Sequence, residues 1–500
     1  MEQFATAASM VFTVPVLASV LGAAVFGLFV GAVPGLTATM ATALLVPITF
    51  FMDPLPAVAA IVSATAMAIV AGDIPGALLR IPGTPASAAY TEEAYQMGRQ
   101  GLIGTALGVN LACSAVGGIV GVGVLAFGAP LVAELALNFT TYEYFWLALV
   151  GLSCAVLVSG RDSLKGAISM LIGLLISMVG MDQVLGYPRF TFGNVDLMGG
   201  ISILPTLIGV FAIAELLRKI PTASTHIQSL PPPVKKPFAG VWPLMWRYKG
   251  GVARSSVLGT LIGALRGAGA DIAAWICYAL ARRLSKTPEK FGSGHPEGLV
   301  SASSANNAAL SGAYIPALVF GIPGDTITAI VIGVLLMKGI TPGPDVFQSD
   351  PALVSAIFIV FLLANLLLLP LGLLAVRGAR HVLSVPPTVL FPLILIFCIV
   401  GAFATNNSSF DIWIMLALGI LAYFMAENAF PVGPLILAVI LGPIVEGNFM
   451  RSIIKADGNL LLFFERPIAA VLGVLAIGIW AGIAGSHLWK AMRTRSLSSD

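Results

Sequence analysis

The chain has 500 residues, 58% of them hydrophobic and only 10% charged, with a mean hydropathy of +0.97. A soluble globular protein carries about 25% charged residues, so that class is excluded. The 26 basic and 23 acidic side chains leave a net charge of +3, too small to argue for a nucleic-acid partner.

Uncharged runs at 352–376 and 467–489 exceed the roughly 20 residues that a spanning helix needs. The reading is an all-α polytopic membrane protein of about twelve or more transmembrane segments. The opening MEQFATAAS has no basic residue before the first apolar run, so a signal-peptide leader is not expected. Apolar spans are expected near 15–33, 36–52, 55–71, 102–127, 142–159, 163–180 and 200–217. After a polar stretch they resume near 252–265, 268–281, 298–312, 314–338, 352–374, 388–404, 411–426, 430–446 and 467–489.

The first two spans flank GAVPGLTAT, Gly31 to Thr39, and read as a re-entrant hairpin. Its outer flanks hold Glu2 and Asp53, and the first basic residue is Arg80. Lys and Arg favour cytoplasmic loops, so this hairpin is expected to enter from the periplasm and the N-terminus to lie there. Next comes GDIPGALLRIPGTPAS, Gly72 to Ser87, which interrupts a span with prolines and glycines. Glu143, in TYEYFW, reads as an interfacial residue beside aromatics. The 218–251 stretch is proline-rich and basic, suiting a cytoplasmic linker.

Beyond the linker, basic residues flank two apolar segments of about 11 and 14 residues, each too short to cross a core about 30 Å thick. A second hairpin, dipping in from the cytoplasm with its tip at Arg266-Gly267-Ala268-Gly269, satisfies both facts. GAYIPALVFGIPGDTITA, Gly312 to Ala329, then breaks a later span as the 72–87 stretch does. The basic tail, Lys490 to Arg495, places the C-terminus in the cytoplasm, while Arg451 and Lys455 fall on the outer side.

These pieces recur. GAVPGLTAT aligns with GALRGAGAD, Gly263 to Asp271, at an offset of 232, and the two IPG stretches align at an offset of 241. Similar halves of opposite orientation make an inverted repeat. The expected division is a membrane repeat over 1–217, the cytoplasmic linker over 218–251, a second repeat over 252–466, and an extra helix with a basic tail over 467–500.

Inverted repeats with interrupted helices mark secondary transporters, whose sites form near the midplane where the interruptions meet. Exposed N–H groups at helix starts suit an anion. Glycines at Gly35, Gly83, Gly267, Gly269 and Gly324 let backbone approach a ligand. Thr37, Thr39, Thr84, Ser87, Asn306, Asn307 and Thr326 supply polar contacts. Arg266 either forks onto a substrate carboxylate or pairs with Asp271 or Asp73. Asp271 and Asp325 are candidates for a coupling ion, Na⁺ or H⁺; Asp325 equally suits the N-cap of a helix starting at Thr326. Na⁺ could also be held by carbonyls of the interrupted helices. No other cofactor is expected. Cys113, Cys154, Cys277 and Cys398 lie in apolar stretches without metal-ligand spacing, and no His pair suggests zinc.

The ordered motifs resemble the large membrane subunit of the bacterial tripartite tricarboxylate transporters over nearly the whole length. The resemblance rests on Gly31-Ala-Val-Pro-Gly35 with Leu-Val-Pro47, on Ile81-Pro-Gly-Thr-Pro-Ala-Ser87, and on Leu284 through Gly294 with Glu297-Gly298. It rests further on Ala305-Asn-Asn-Ala308 through Gly321-Ile-Pro-Gly324, closed by Gly339-Ile-Thr-Pro-Gly-Pro344. It implies a non-enzymatic subunit of the inner membrane that works with a periplasmic solute-binding protein and a small four-helix membrane subunit. Such systems take up an organic carboxylate on a cation gradient. The absence of any Gly-Lys dipeptide agrees, since no Walker A loop is present. Departures from the family pattern cluster in the expected site: Arg266 for proline, Asp271 for a small or hydroxyl residue, Ser303 for glutamate, Asp73 for glycine and Glu93-Ala94 for Asp-Gly. They leave the choice of carboxylate open. The competing classes are a passive anion channel and an intramembrane enzyme built on Ser303, Ser304 and His295.

Overall fold

A computed structural model describes residues 2–34, 36–158, 162–182, 186–222, 234, 237–265, 269–384 and 387–497. The architecture is helical throughout, apart from a two-residue ribbon pairing Gly180–Met181 with Pro188–Arg189. Eight described helices are long and apolar enough to cross a membrane, and four more apolar helices are shorter, among them Ala38–Phe50 and Thr326–Met337. The chain is therefore a multi-pass membrane protein.

It divides into two compact units, 1–134 with 204–423, and 135–203 with 424–500. Each draws on both expected halves of the sequence, so the units differ from the division into successive repeats. Of the expected linker, 223–233 and 235–236 lie outside the described residues, while Val241–Arg247 is a short helix and the last residues already belong to Lys249–Ala264.

In the larger unit, Val14–Ala32 and Ala38–Phe50 form the first hairpin. Lys249–Ala264 and Gly269–Leu284 form the second. The two arms leave their first helices alike: Val33 has φ −75, ψ 122 and Leu265 has φ −77, ψ 127. Each hairpin then packs on a long helix through small residues. Gly27 and Gly31 lie against the backbone of Ala64 and Ala68 on Pro54–Ala71, leaving no room for a Cβ. Gly259 and Gly263 do the same to Ala305 and Ala309 on Pro296–Phe320. Lipid tails are as apolar as leucine, so close backbone packing of this kind, rather than hydrophobic exclusion, joins helices in a bilayer.

The breaks also coincide. The short helix Asp73–Leu79 ends on Arg80 at φ 61, ψ 28, and Pro296–Phe320 ends on Gly321 at φ 64, ψ 24. Ile81 N–H then reaches Pro75 O at 3.4 Å, and Ile322 N–H reaches Pro316 O at 3.3 Å. Glycine adopts this left-handed conformation freely, whereas Arg80 does so at a cost of about 1–2 kcal/mol.

One expected boundary is corrected. The spans 298–312 and 314–338 are not separated near 313; the helix runs unbroken through Pro316, and the interruption lies at 321–325. Pro47, Pro130, Pro370, Pro392 and Pro443 likewise sit inside continuous helices. A proline removes one hydrogen bond, a loss that packed transmembrane helices absorb. At the two breaks the helix ends instead on a left-handed residue, Arg80 or Gly321, followed by a new cap.

The smaller unit packs Val432–Lys455 on Thr141–Val158 and Ser163–Ser177. Glu143 is buried within the protein: it is 1% exposed, accepts from Thr140 N–H at 2.7 Å and pairs with Arg466 at 3.2 Å. Nearby in the sequence, Phe145 packs edge to face on Phe463 and at a tilt on Trp146 and Phe449. Arg189 of the ribbon forks onto Glu446 and also meets Asp182 at 3.3 Å.

Candidate substrate site at the helix breaks

The second break ends in a reciprocal cap. Asp325 Oδ1 accepts from Thr328 N–H at 2.8 Å, and Thr328 Oγ1 accepts from Asp325 N–H at 2.9 Å. The first break repeats this at the aligned positions. Ser87 N–H donates to Thr84 Oγ1, and Thr84 N–H donates to Ser87 Oγ, both at 3.0 Å. Such pairs satisfy two of the orphan N–H groups at a helix start. Asp325 therefore fills the capping role open to it in the sequence. Asp325 packs against Gly269, the left-handed first residue of the second hairpin's inner arm; a Cβ there would lie 3.2 Å from Asp325 Cβ and 3.6 Å from its Oδ2.

Thr37 caps the first hairpin's inner arm by accepting from Met40 N–H at 3.2 Å. Two residues on, Thr39 Oγ1 lies 3.3 Å from Thr326 Oγ1. At the far ends of the same two helices, Lys338 Nζ donates to Phe50 O at 2.7 Å and to Met52 O. Ala38–Phe50 and Thr326–Met337 thus run parallel with their starts side by side, and Gly269 brings a third helix start to Asp325. The hydroxyls of Thr37, Thr39 and Thr326 stay half-buried at this meeting point. Helix starts concentrate partial positive charge and N–H donors, which suits a carboxylate. The first break meets the second hairpin in turn, where Trp275 Nε1 donates to Pro85 O at 3.2 Å.

The two IPG glycines are approached by protein backbone. Gly83 N–H donates to Gly72 O at 3.1 Å, and Gly324 sits against Ala313 and the Gly263 carbonyl. Gly35, Arg266 and Gly267 lie outside the described residues, as does the side chain of Asp271. Arg266 is thus not placed against Asp73.

Asn306 and Asn307 do not face the helix starts together; they feed two separate buried networks. Asn306 Nδ2 donates to Tyr90 OH at 3.0 Å, Tyr90 OH donates to Asp73 Oδ1 at 2.8 Å, and Asn110 Nδ2 donates to Asp73 Oδ2. Asn307 Nδ2 donates to Asn365 Oδ1 at 2.6 Å and to Ser114 O at 3.1 Å. Tyr90, Asn110 and Asn365 were not singled out from the sequence. The available signal was a lone amide in an otherwise apolar span, since intramembrane polar groups seek partners on neighbouring helices. Glu93, noted only as a departure from the family pattern, is fully buried. It accepts from the N–H groups of Gly292, Gly294 and His295 and from Tyr278 OH. It anchors the 292–295 loop. No cluster of three His, Cys, Asp or Glu suited to a metal ion occurs among the described residues.

This ordered set of breaks, caps and small-residue contacts lies within the region that a family model matches. The Tripartite tricarboxylate transporter TctA family matches residues 17–437. The chain belongs to this family. Family membership makes it a large membrane subunit of a tripartite tricarboxylate transport system, a class that includes a periplasmic binding protein and a small membrane subunit. Two relatives come from Agrobacterium vitis. One, "Uncharacterized 52.8 kDa protein in TAR-I ttuC' 3'region", is 35% identical over 456 residues, 91% of this chain and 89% of the relative. The other, "Uncharacterized protein in TAR-II ttuC' 3'region", is 38% identical over 221 residues, 44% of this chain and 90% of the relative. No solved structure matches the chain.

Proposed function

We propose that this TctA-family subunit imports organic carboxylates, tricarboxylates or close relatives, across the bacterial inner membrane by alternating access on a cation gradient. It receives them from a periplasmic solute-binding protein and works beside the small membrane subunit. The observation that carries this reading is the meeting of three helix starts, at Ala38, Gly269 and Thr326, beside a duplicated and capped break. Thr39 and Thr326 hold the substrate carboxylate between them, with Thr37 and the exposed N–H groups completing the cradle. Arg266, Gly35 and Gly267 belong to the same tips by sequence. The two halves act as inverted repeats, so the contact of hairpin one with break two, and of hairpin two with break one, follows from a single two-fold relation.

The test is reconstitution of the chain with its small subunit and binding protein in vesicles carrying an imposed cation gradient. Labelled di- and tricarboxylates should accumulate above the outside concentration and equilibrate when the gradient is collapsed. Flux that never exceeds equilibrium and does not saturate would instead mark a channel. Within the assay, Thr39→Val and Thr326→Val each remove one hydroxyl from the cradle. A hydrogen bond to a charged group contributes about 1.5–3 kcal/mol, so each should raise the half-saturating concentration roughly 10- to 100-fold. Unchanged saturation in both would place the substrate elsewhere.

A further inference from the structure

The buried network at Asp73 is not used by the cradle at the helix starts. Asp73 is 4% exposed and opens the short helix after Gly72, inside the candidate span Pro54–Leu79. Its two oxygens take hydrogen bonds from two neutral groups, Tyr90 OH and the Asn110 amide. Among the described residues no cation pairs with it.

The elements packed around Asp73 bring few titratable groups. Val14–Ala32 and Pro54–Ala71 carry none. On Thr91–Arg99, Glu92 is paired with Arg80, Glu93 is turned into the 292–295 loop, and Tyr95 lies under the Arg80 guanidinium. Arg99 closes that helix without a bond to Asp73. Ile103–Ala136 has Cys113 and Glu134, Pro296–Phe320 has Glu297 and Tyr314, and Pro351–Leu383 ends in Arg377, Arg380 and His381. None of these bonds to Asp73; Tyr90 is the titratable group in contact with it.

An ionised carboxylate inside a bilayer is costly unless paired or neutralised. Two further atoms of the network, Asn110 Oδ1 and Asn306 Oδ1, are buried acceptors without a donor. A protonated Asp73 gains an O–H donor. With the Asn110 amide turned over, Oδ2–H donates to Asn110 Oδ1, so the contact is kept and the buried charge is removed, while the amide NH2 takes the place of the orphaned oxygen. A metal ion fits less well, because no group of three His, Cys, Asp or Glu that could hold one occurs among the described residues.

We infer that Asp73 is an intramembrane proton-binding site, with Tyr90, Asn110 and Asn306 as its positioning residues, and that the proton it takes is the coupling ion. The proton comes from water on one side and forms an O–H bond on Asp73 Oδ2. It leaves to water on the other side, with no change of oxidation state. The site is placed to sense the first break, because the neighbouring Gly72 carbonyl accepts from Gly83 N–H. Tyr90 follows the Thr84–Ser87 cap directly, and Asn306 ties the network to the helix that ends at the second break. This inference rests on the transport reading for its role as coupling ion, but not for proton binding itself.

The test uses the full chain in lipid, without partners or substrate. Infrared difference spectra are recorded as the pH is lowered. The expected result is a protonated-carboxyl C=O band that grows with acid and is missing in Asp73→Asn. In Tyr90→Phe the band should move to higher frequency, because the acid's carbonyl has lost a donor. The same band at full height in Asp73→Asn overturns the inference, as does no such band over the range in which the protein stays folded. If Asp73→Asn does not fold, Tyr90→Phe decides, and an unmoved band there is fatal. Failure of this experiment leaves carboxylate uptake by the assembled system untouched. Conversely, a titrating Asp73 in a system that never accumulates carboxylate sinks the transport reading and with it the coupling role, and leaves proton binding at Asp73 standing.

Discussion

Gly83 and Gly324 hold the same place in the two IPG turns but stand in different surroundings. A Cβ on Gly83 would meet Gly72 Cα at 2.5 Å, backbone against backbone, with no flexible side chain to give way. A Cβ on Gly324 would meet Ala313 Cβ and Gly263 O at 3.4 Å, ordinary contact. Gly83→Ala should therefore destabilise by about 1–3 kcal/mol. It should also slow uptake by roughly tenfold or more as the break is displaced. Gly324→Ala should leave melting temperature and uptake close to the wild type. Melting curves in detergent and uptake in vesicles check both, and equal tolerance would show that the first turn is not packed as described. From the sequence, both glycines read as places for ligand approach. The structure shows backbone filling the space at Gly83, a distinction no single sequence carries. Asn306 and Asn307 teach the same point: a buried amide needs partners, but its sequence position does not name them. Those partners, Tyr90 and Asn365, lie 216 and 58 residues away.

The interrupted helices were legible as interruptions, though not their ends. IPG flanked by apolar runs signalled a break in each half, and both breaks are present. Their location at 321–325 rather than near 313 depends on which residue turns left-handed and which pair caps the next helix. The duplicated cap gives a clean test of Asp325. Asparagine caps a helix as well as aspartate does, whereas alanine costs about 1 kcal/mol. With the coupling proton on Asp73, Asp325→Asn should keep roughly half or more of the wild-type uptake, because the cap survives. Asp325→Ala should lose stability and uptake together. Loss of uptake in Asp325→Asn at unchanged melting temperature would instead assign its carboxylate to the coupling ion.

Across the whole chain, two sequence offsets recur in three kinds of local structure: hairpin exits, glycine-to-alanine helix contacts and capped breaks. An inverted pair predicts that the outer ends of the two hairpins lie on opposite sides of the membrane. In a chain freed of its four cysteines, Phe51→Cys should react with an impermeant maleimide from the periplasm. Lys286→Cys should react only after the membrane is opened. Labelling of both from one side would rule out the inverted arrangement. The sequence by itself determined the class, the hairpins, the breaks and the family. Each is written in local terms: apolar length against bilayer thickness, glycine and proline against the helix ladder, and ordered motifs. Tertiary structure alone decided that helix starts at 38, 269 and 326 meet, that Glu93 anchors a loop about 200 residues away, and that Asp73 stands unpaired by any described cation. These depend on which helices become neighbours, and in a bilayer small-residue packing and buried hydrogen bonds choose the neighbours, leaving no periodic trace along the chain.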